Sequence, residues 1–154
     1  GAELDTWIAA AGVERSTLRI TNALACRPTE PGARAGTLRN RSPRPAEAAA
    51  CREHLLAQVE IVRPQVVVTI GAVALSSRAP DLTIAKVPVS GIMLAPTESS
   101  PLFGVLLFAL YHPSAVLRWS KMAPRRAADA RLHAVEAISN AVGHVEINRE
   151  VRHG

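Results

Sequence analysis

At 154 residues, 48% apolar and 20% charged, the chain is long enough for one compact core and too short for two comfortable domains. No apolar run approaches the roughly eighteen residues that span a bilayer, and the first residues lack the basic-then-apolar layout of a signal peptide, so a cytoplasmic protein with no membrane contact is expected. A formal charge of +5, carried largely by arginine, suits a polyanionic partner, whereas 3% aromatic residues argue against the stacking platforms of non-specific single-strand binders. The same charge also suits a composition set by a GC-rich genome, and the positions of the arginines have to decide.

Leu4, Trp7, Ile8 and Ala11 recur at helical spacing ahead of Gly12, which predicts a short amphipathic helix over 2–11. Leu18–Thr21 is a β-prone run ending at Asn22 and reads as a buried strand with a polar residue at its carboxyl end. From 27 to 45, Pro28, Pro31, Gly32, Gly36, Pro43 and Pro45 alternate with Arg34, Arg39, Arg41 and Arg44, a density of breakers that predicts an exposed basic loop without regular structure. Pro45 suits a first helical turn that also holds Glu47. Ala50, His54, Leu55, Gln58, Val59 and Val62 carry that helix to Arg63, where Pro64 stops it.

Val66–Ile70 is continuous and largely β-branched between Pro64 and Gly71, as expected of a strand buried on both faces of a parallel sheet, with a helix following over 71–77. Residues 79–101 mix apolar pieces with Pro and Gly, and Thr83–Val89 and Ile92–Leu94 are candidate short strands. Val105–Leu110 reads as another buried strand, followed by a polar loop from His112 to Arg118. A long Ala-rich helix over 123–142 places Ala127, Leu132, Val135 and Ile138 on its inner face, and a polar, frayed tail is expected over 143–154. Strands alternating with helices predict an α/β fold, a three-layer α/β/α sandwich around a mainly parallel sheet, within one domain over 1–142. Such folds form their ligand crevice at the carboxyl ends of the strands, where Asn22, Gly71 and His112 all fall.

Three stretches carry the chemistry: Ile20-Thr21-Asn22-Ala23-Leu24-Ala25-Cys26-Arg27-Pro28, Ile70-Gly71-Ala72-Val73-Ala74-Leu75, and His112-Pro113-Ser114-Ala115-Val116-Leu117-Arg118. The Asn22 amide offers a donor and an acceptor together, and His112 a donor able to meet developing negative charge. Taken singly, Asn22 also suits a strand-end cap and His112 a loop histidine before a turn-forming proline. Gly71-Ala72 at a helix start would also suit a phosphate ligand. Cys26 and Cys51, in a chain without an export signal, read as core thiols or ligands rather than a structural disulfide. With His54 they also allow a three-ligand zinc site.

Together these motifs resemble the uracil-DNA glycosylase superfamily, most closely the iron-sulfur branch called family 4. The resemblance covers residues 1 to about 142 and implies hydrolysis of the N-glycosidic bond of deoxyuridine in DNA, performed by a monomer on uracil-containing DNA. It gives Asn22 the role of reading the uracil edge and His112 that of supporting the leaving base. Pro113, Ser114, Val116, Leu117 and Arg118 would contact DNA, with Val116, helped by Leu117, as the apolar wedge filling the hole left by the flipped base. Arg118, Lys121, Arg125 and Arg126 suit phosphate contacts or a solvated helix start. Cys26 and Cys51 match two of the four ligands of a 4Fe-4S cluster, supported by the preceding Asn40-Arg41-Ser42-Pro43-Arg44-Pro45-Ala46-Glu47. By the same resemblance the chain starts just downstream of the family's Gly-Glu-x-Pro-Gly segment with its water-activating carboxylate, and lacks the stacking Phe and two cysteines. Glu3 and Asp5 stand nearest and read as first-turn helix acids. A catalytically inactive DNA-binding module of the same fold is the competing expectation.

Overall fold

The computed structural model of the chain describes residues 1–79, 81–93 and 105–153, with the last five as backbone only. In chain order these form α1 (Ala2–Ala10), a single 3-10 turn (Arg15–Thr17), β1 (Thr29–Pro31), β2 (Leu38–Asn40), α2 (Pro45–Val62), β3 (Val66–Ile70), α3 (Ala72–Ser76), a second 3-10 turn (Ile84–Lys86), β4 (Ile92–Met93), β5 (Leu106–Leu110), α4 (Pro113–Met122) and α5 (Pro124–His153). They separate into two compact units, residues 1–20 with 64–154, and residues 21–63, where composition suggests one domain. No helix of the described residues is long and apolar enough to cross a membrane.

In the first unit the sheet runs β3-β5-β4, with β3 parallel to β5 from Val66↔Leu106 to Ile70↔Leu110 and β4 antiparallel to β5. Because side chains alternate across a strand, the five residues of β5 feed two cores. Leu106, Phe108 and Leu110, with Val66, Val68 and Ile70, face α1, α4 and α5 through Leu4, Trp7, Ile8, Val116 and Ile138. Leu107, Ala109 and Val67 face α3 and the following segment through Leu75, Ile84 and Val87. Helical layers thus cover both faces of a mixed sheet, and the unit is an α/β fold of three layers. The hydroxyl of Thr69, buried within β3, donates to the Phe108 carbonyl at 3.0 Å.

The inner face of α5 is a stripe of small residues, Ala127, Ala130, Ala134, Ala137 and Ala141, joined by Ile138. Spaced alternately three and four apart, they let the helix lie close against the bulky side chains of β5 and α1. Leu132, expected inside, is 70% exposed, because the alanine stripe and not the larger side chains defines the buried face. Beyond Gly143 the helix continues to His153 instead of fraying, since nothing between those residues interrupts the backbone ladder and a single glycine costs only about 1 kcal/mol. His133 Nε2 lies 3.1 Å from the Ala109 carbonyl and ties α5 to β5. At the far side of α1, Glu3 accepts from Arg131 Nε at 2.6 Å and Trp7 Nε1 at 3.2 Å, while Arg131 also donates to Ser120 at 2.9 Å. Glu3 is therefore a link between three helices, beyond its place as a first-turn acid.

Other short elements depart from the sequence expectations. Leu18–Thr21 forms no strand among the described residues: β3 is bonded along one edge only, to β5, and a run this short without a ladder partner stays irregular. Thr83–Val89 contains a 3-10 turn in place of a strand, while Ile92–Met93 does pair; Leu94 lies outside the described residues.

In the second unit the proline-rich segment expected to be irregular contains a hairpin, Thr29–Pro31 against Leu38–Asn40. The breakers build its turn: Gly36 adopts φ +76°, Gly32 N–H donates to the Thr37 carbonyl at 2.8 Å, and the Thr37 hydroxyl donates to the Arg34 carbonyl at 2.6 Å. The helix α2 keeps its expected bounds, with Pro45 at its first position and Arg63, in the left-handed region at φ 47°, ending it before Pro64. Arg41 joins hairpin and helix: its guanidinium grips both oxygens of Glu47, at 2.8 and 2.5 Å, and donates to the Thr29 carbonyl at 3.1 Å. Glu47 also accepts from Arg44 N–H at 2.8 Å, so the N3 carboxylate caps the start of α2, while Glu47 N–H returns to the Arg44 carbonyl at 3.0 Å.

The Arg41 guanidinium first, and the Arg44 amide second, hold the Glu47 carboxyl down to about 2 from an ordinary 4.5. A depressed carboxyl stabilises the fold above its unfolded value, and that contribution is lost as pH falls through the folded one. Urea unfolding should therefore lose stability between about pH 4.5 and pH 2, and Glu47→Gln should be less stable than the parent at pH 7 while losing less over that window. Identical pH profiles for the two proteins would contradict this role.

Candidate functional site

At the carboxyl end of β5, Tyr111 leads into His112, the N-cap of α4, with Pro113 as its first helical residue. Proline suits that position because its fixed φ is already helical and its missing N–H is not needed there. His112 has extended backbone, φ −66° and ψ 134°, and its side chain performs the capping: Nδ1 accepts from Ser114 N–H at 3.2 Å and lies 2.7 Å from the Ser114 hydroxyl. The stretch expected to be a loop thus starts a helix, since His112 can supply the acceptor that Ser, Thr or Asp more often supplies. An amide proton aimed at Nδ1 requires a lone pair there, so the neutral ring carries its proton on Nε2. The exposed His112 presents an N–H donor at the end of the central strand.

Gly71 stands beneath this ring. Its N–H donates to the Leu110 carbonyl at 2.8 Å, joining the ends of β3 and β5, and a Cβ placed on it would lie 3.1 Å from His112 Cβ and 3.5 Å from Cδ2. With φ +91° and ψ 162°, its backbone is also one that side chains rarely adopt. The sequence placed Gly71 at a strand end without this role; its signal is a glycine following a β-branched strand in register with the one that ends before His112.

The helix α4 divides its residues cleanly. Val116 is fully buried in the core with α1, α5 and β5, so the side chain expected to act as a wedge points inward. Leu117, 50% exposed, is the outward apolar neighbour. Ser114, Leu117, Arg118 and Lys121 follow helical spacing on one exposed face. Arg126 lies 3.8 Å from the centroid of the Trp119 ring, and Trp119 meets Tyr111 edge-on at 5.1 Å, so Arg126 is held by a cation-π contact while Arg125 is exposed.

Asn22 belongs to the second unit and is exposed, and among the described residues its amide makes no hydrogen bond, which sets aside the reading of a cap. Thr21 beside it donates to Gln58 Oε1 at 2.7 Å. Cys26 and Cys51 meet with their sulfurs 3.6 Å apart, Cys26 exposed and Cys51 buried on α2. Backbone N–H groups of Cys26 and Ala25 directed at the Cys51 sulfur lower the pKa of that thiol, whereas the contact with Cys51 raises that of Cys26. A 4Fe-4S cluster takes four thiolates, and the chain holds two cysteines. Among the described residues no group of three or more His, Cys, Asp or Glu is placed to hold a metal, so neither a cubane nor the Cys26, Cys51 and His54 zinc site fits the residues present.

The acids near the start of the chain are engaged: Glu3 with Arg131 and Trp7, Asp5 with Arg15 at 2.7 Å. A shallow cleft of about 440 Å³ lies elsewhere in the first unit, walled by α3, Leu82–Ala85 and Tyr111. Its lining is mostly apolar and does not include His112.

The family model of the uracil DNA glycosylase superfamily matches residues 1–137. The chain belongs to the uracil-DNA glycosylase superfamily. Its likeness is to the Type-4 members. It is 36% identical over 107 residues to the Type-4 uracil-DNA glycosylase of Thermotoga maritima, covering 70% of this chain and 48% of that protein. It is 32% identical over 119 residues to the Type-4 uracil-DNA glycosylase of Archaeoglobus fulgidus, covering 76% and 55%. To that of Saccharolobus solfataricus it is 30% identical over 108 residues, covering 69% and 45%. The chain spans about half the length of these curated relatives.

Within this superfamily fold, Gly71 is the position where the His112 geometry is most easily disturbed. Gly71→Ala should destabilise the first unit by roughly 1–3 kcal/mol, through backbone strain and pressure on the imidazole. It should also shift the His112 ring resonances in NMR spectra. A variant with unchanged stability and unchanged His112 resonances would refute the contact.

Proposed function

We propose that the chain acts as a uracil-DNA glycosylase, hydrolysing the N-glycosidic bond between uracil and deoxyribose in DNA. The observation that carries this reading is the His112 imidazole, its Nδ1 occupied by Ser114 and its Nε2–H presented to solvent at the end of β5. A uracil turned out of the helix offers O4 and N3–H along one edge, which the free amide of Asn22 matches with a donor and an acceptor. As the bond to C1′ breaks, its electron pair stays on the base and O2 gains negative charge. The Nε2–H of His112 is the donor for that oxygen; water delivers hydroxyl to C1′, and the proton it loses balances the one the uracil anion takes up to leave as neutral uracil. A donor fixed before the reaction stabilises this charge without reorganisation, an effect worth about 10²–10³ in rate.

The exposed face of α4 supplies the DNA contacts in this reading. Leu117 replaces Val116 as the apolar wedge, Arg118 and Lys121 meet phosphates, and Pro113 stiffens the turn. Ser114, whose hydroxyl and amide both face Nδ1, acts as a positioning residue for His112 in place of a phosphate ligand. Cys26 and Cys51 take no part in these steps.

A second reading, a DNA-binding module without hydrolysis, is favoured by one observation: Glu3 and Asp5, the acids nearest the start of the chain, are both committed to ion pairs and neither stands free to activate water. Incubation with a labelled oligonucleotide holding one uracil, followed by alkali, separates the two. The glycosylase reading expects strand scission at uracil alone, reduced roughly 10²–10³-fold by His112→Ala and similarly by Asn22→Ala. Excision unchanged in both variants would remove these assignments. A folded chain that does not cleave, yet binds DNA with steep salt dependence and no preference for uracil, would establish the second reading.

A further inference from the structure

We propose that the hairpin Thr29–Asn40 and its base form a second DNA-contacting surface, which holds phosphates through Arg27, Arg34 and Arg44. The proposal rests on DNA as the partner in the glycosylase reading and adds to it a surface separate from α4. Residues 27–44 contain five arginines and one acid, Glu30, so four of the five net positive charges of the whole chain fall in this one stretch. A bias of composition alone would spread them along the chain.

The hairpin is an anchored projection and not a connector. Arg41 N–H donates to the Pro28 carbonyl at 3.2 Å, so the chain touches itself where it enters and leaves, and Pro28 could meet Arg41 without the residues between them. Two strands by themselves are marginal in water. Here Arg41 holds them through the Thr29 carbonyl and fastens them to α2 through Glu47, while all of β2 stays exposed. The arginines then divide by partner. Arg41 is committed to Glu47, and Arg39 to Glu30 at 3.0 Å. Arg27 is braced by a neutral group, its Nε donating to Asn40 Oδ1 at 2.7 Å, which fixes the guanidinium and leaves its charge uncompensated. Among the described residues no carboxylate pairs with Arg27, Arg34 or Arg44, and all three are exposed. Arg34 stands in the turn, where its carbonyl, and not its side chain, accepts from Thr37. At about 3.4 Å per residue the tip at Arg34 lies at most roughly 17 Å from Thr29, a reach of about five nucleotides along one DNA strand. Guanidinium groups fit phosphate oxygens as a fork. Residues 21–63 contain no aromatic side chain to stack on bases, so these contacts go to the backbone and carry no sequence preference.

The test measures binding of the whole chain to a duplex oligonucleotide without uracil, by fluorescence anisotropy over a series of salt concentrations. Each of Arg27→Gln, Arg34→Gln and Arg44→Gln should reduce the slope of log K against log salt by about 0.9 and weaken binding roughly five- to tenfold at ~0.1 M salt. Arg34→Lys should keep the parent slope. Arg34 is the decisive position, because its side chain makes no bond within the described hairpin and its replacement leaves the fold intact. Arg63→Gln, the same change of charge at the other end of α2 and about 27 Å from Pro45 at 1.5 Å per residue, should leave the slope unchanged. A chain that shows these slopes without excising uracil would support the hairpin surface while removing the glycosylase reading. Slopes unaffected by the hairpin variants, with Arg118→Gln still lowering them, would overturn the hairpin surface and leave the α4 contacts standing. An equal loss in Arg63→Gln would reduce the effect to net charge, and displacement of the DNA by polyglutamate at equal charge would assign the surface to an acidic protein; either result overturns the proposal, as does a parent chain that does not bind the duplex.

Discussion

Everything in the first unit depends on the burial of Leu106–Leu110 on both faces. Every residue of this strand is enclosed, and Leu107, Phe108 and Leu110 retain essentially no solvent exposure. At roughly 1.5–3 kcal/mol for each large side chain buried, this strand is the strongest local contribution to the fold and fixes its own direction and register. A one-residue slip would exchange the Leu106, Phe108 and Leu110 set with the Leu107 and Ala109 set and fill neither core. Because the register is so strongly determined, the residue two places beyond the strand, His112, is placed with the same definition.

That precision is converted into chemistry by local capping. The helix α4 must satisfy the N–H groups of its first turn, and the His112 ring supplies an acceptor for that of Ser114. Satisfying the helix consumes Nδ1 and leaves Nε2 as the donor, so one interaction both caps α4 and fixes the tautomer of the neutral imidazole. Gly71 completes the arrangement by bringing the β3 end to within bonding distance of Leu110 while leaving room for the ring. Along the same helix the burial of Val116 and the exposure of Leu117 and Arg118 divide core from exposed surface at single-residue resolution.

The parts legible in the sequence are those where pattern and punctuation agree. Val66–Ile70 is continuous and largely β-branched, Val105–Leu110 is an uninterrupted apolar run, and α2 is bracketed by Pro45 and Pro64; β3 and α2 lie where the pattern puts them, and β5 begins one residue later, at Leu106. The failures share a cause, that local composition does not report packing partners. The hairpin at Thr29–Asn40 was hidden because its glycines and prolines look like disorder until the strands on either side are paired. Leu18–Thr21 has strand-forming residues but no ladder to join. In α5 the large side chains drew attention away from the alanine stripe that in fact meets the sheet, and Leu132 faces solvent as a result. Residue types pointed to His112, Asn22 and the cysteines, but the duty of Ser114 toward His112, and of Gly71 beneath it, exists only once the ends of β3 and β5 are brought together.

The most direct test of this account is the protonation of the His112 ring, read by long-range nitrogen–proton correlation NMR on the labelled chain at neutral pH. The account predicts that the ring in its neutral form shows Nδ1 at the shift of an unprotonated acceptor and Nε2 at that of an N–H donor, with the preference weakened in Ser114→Ala. A proton resident on Nδ1 would contradict it, because the cap of α4 and the Nε2–H donor would then both be absent.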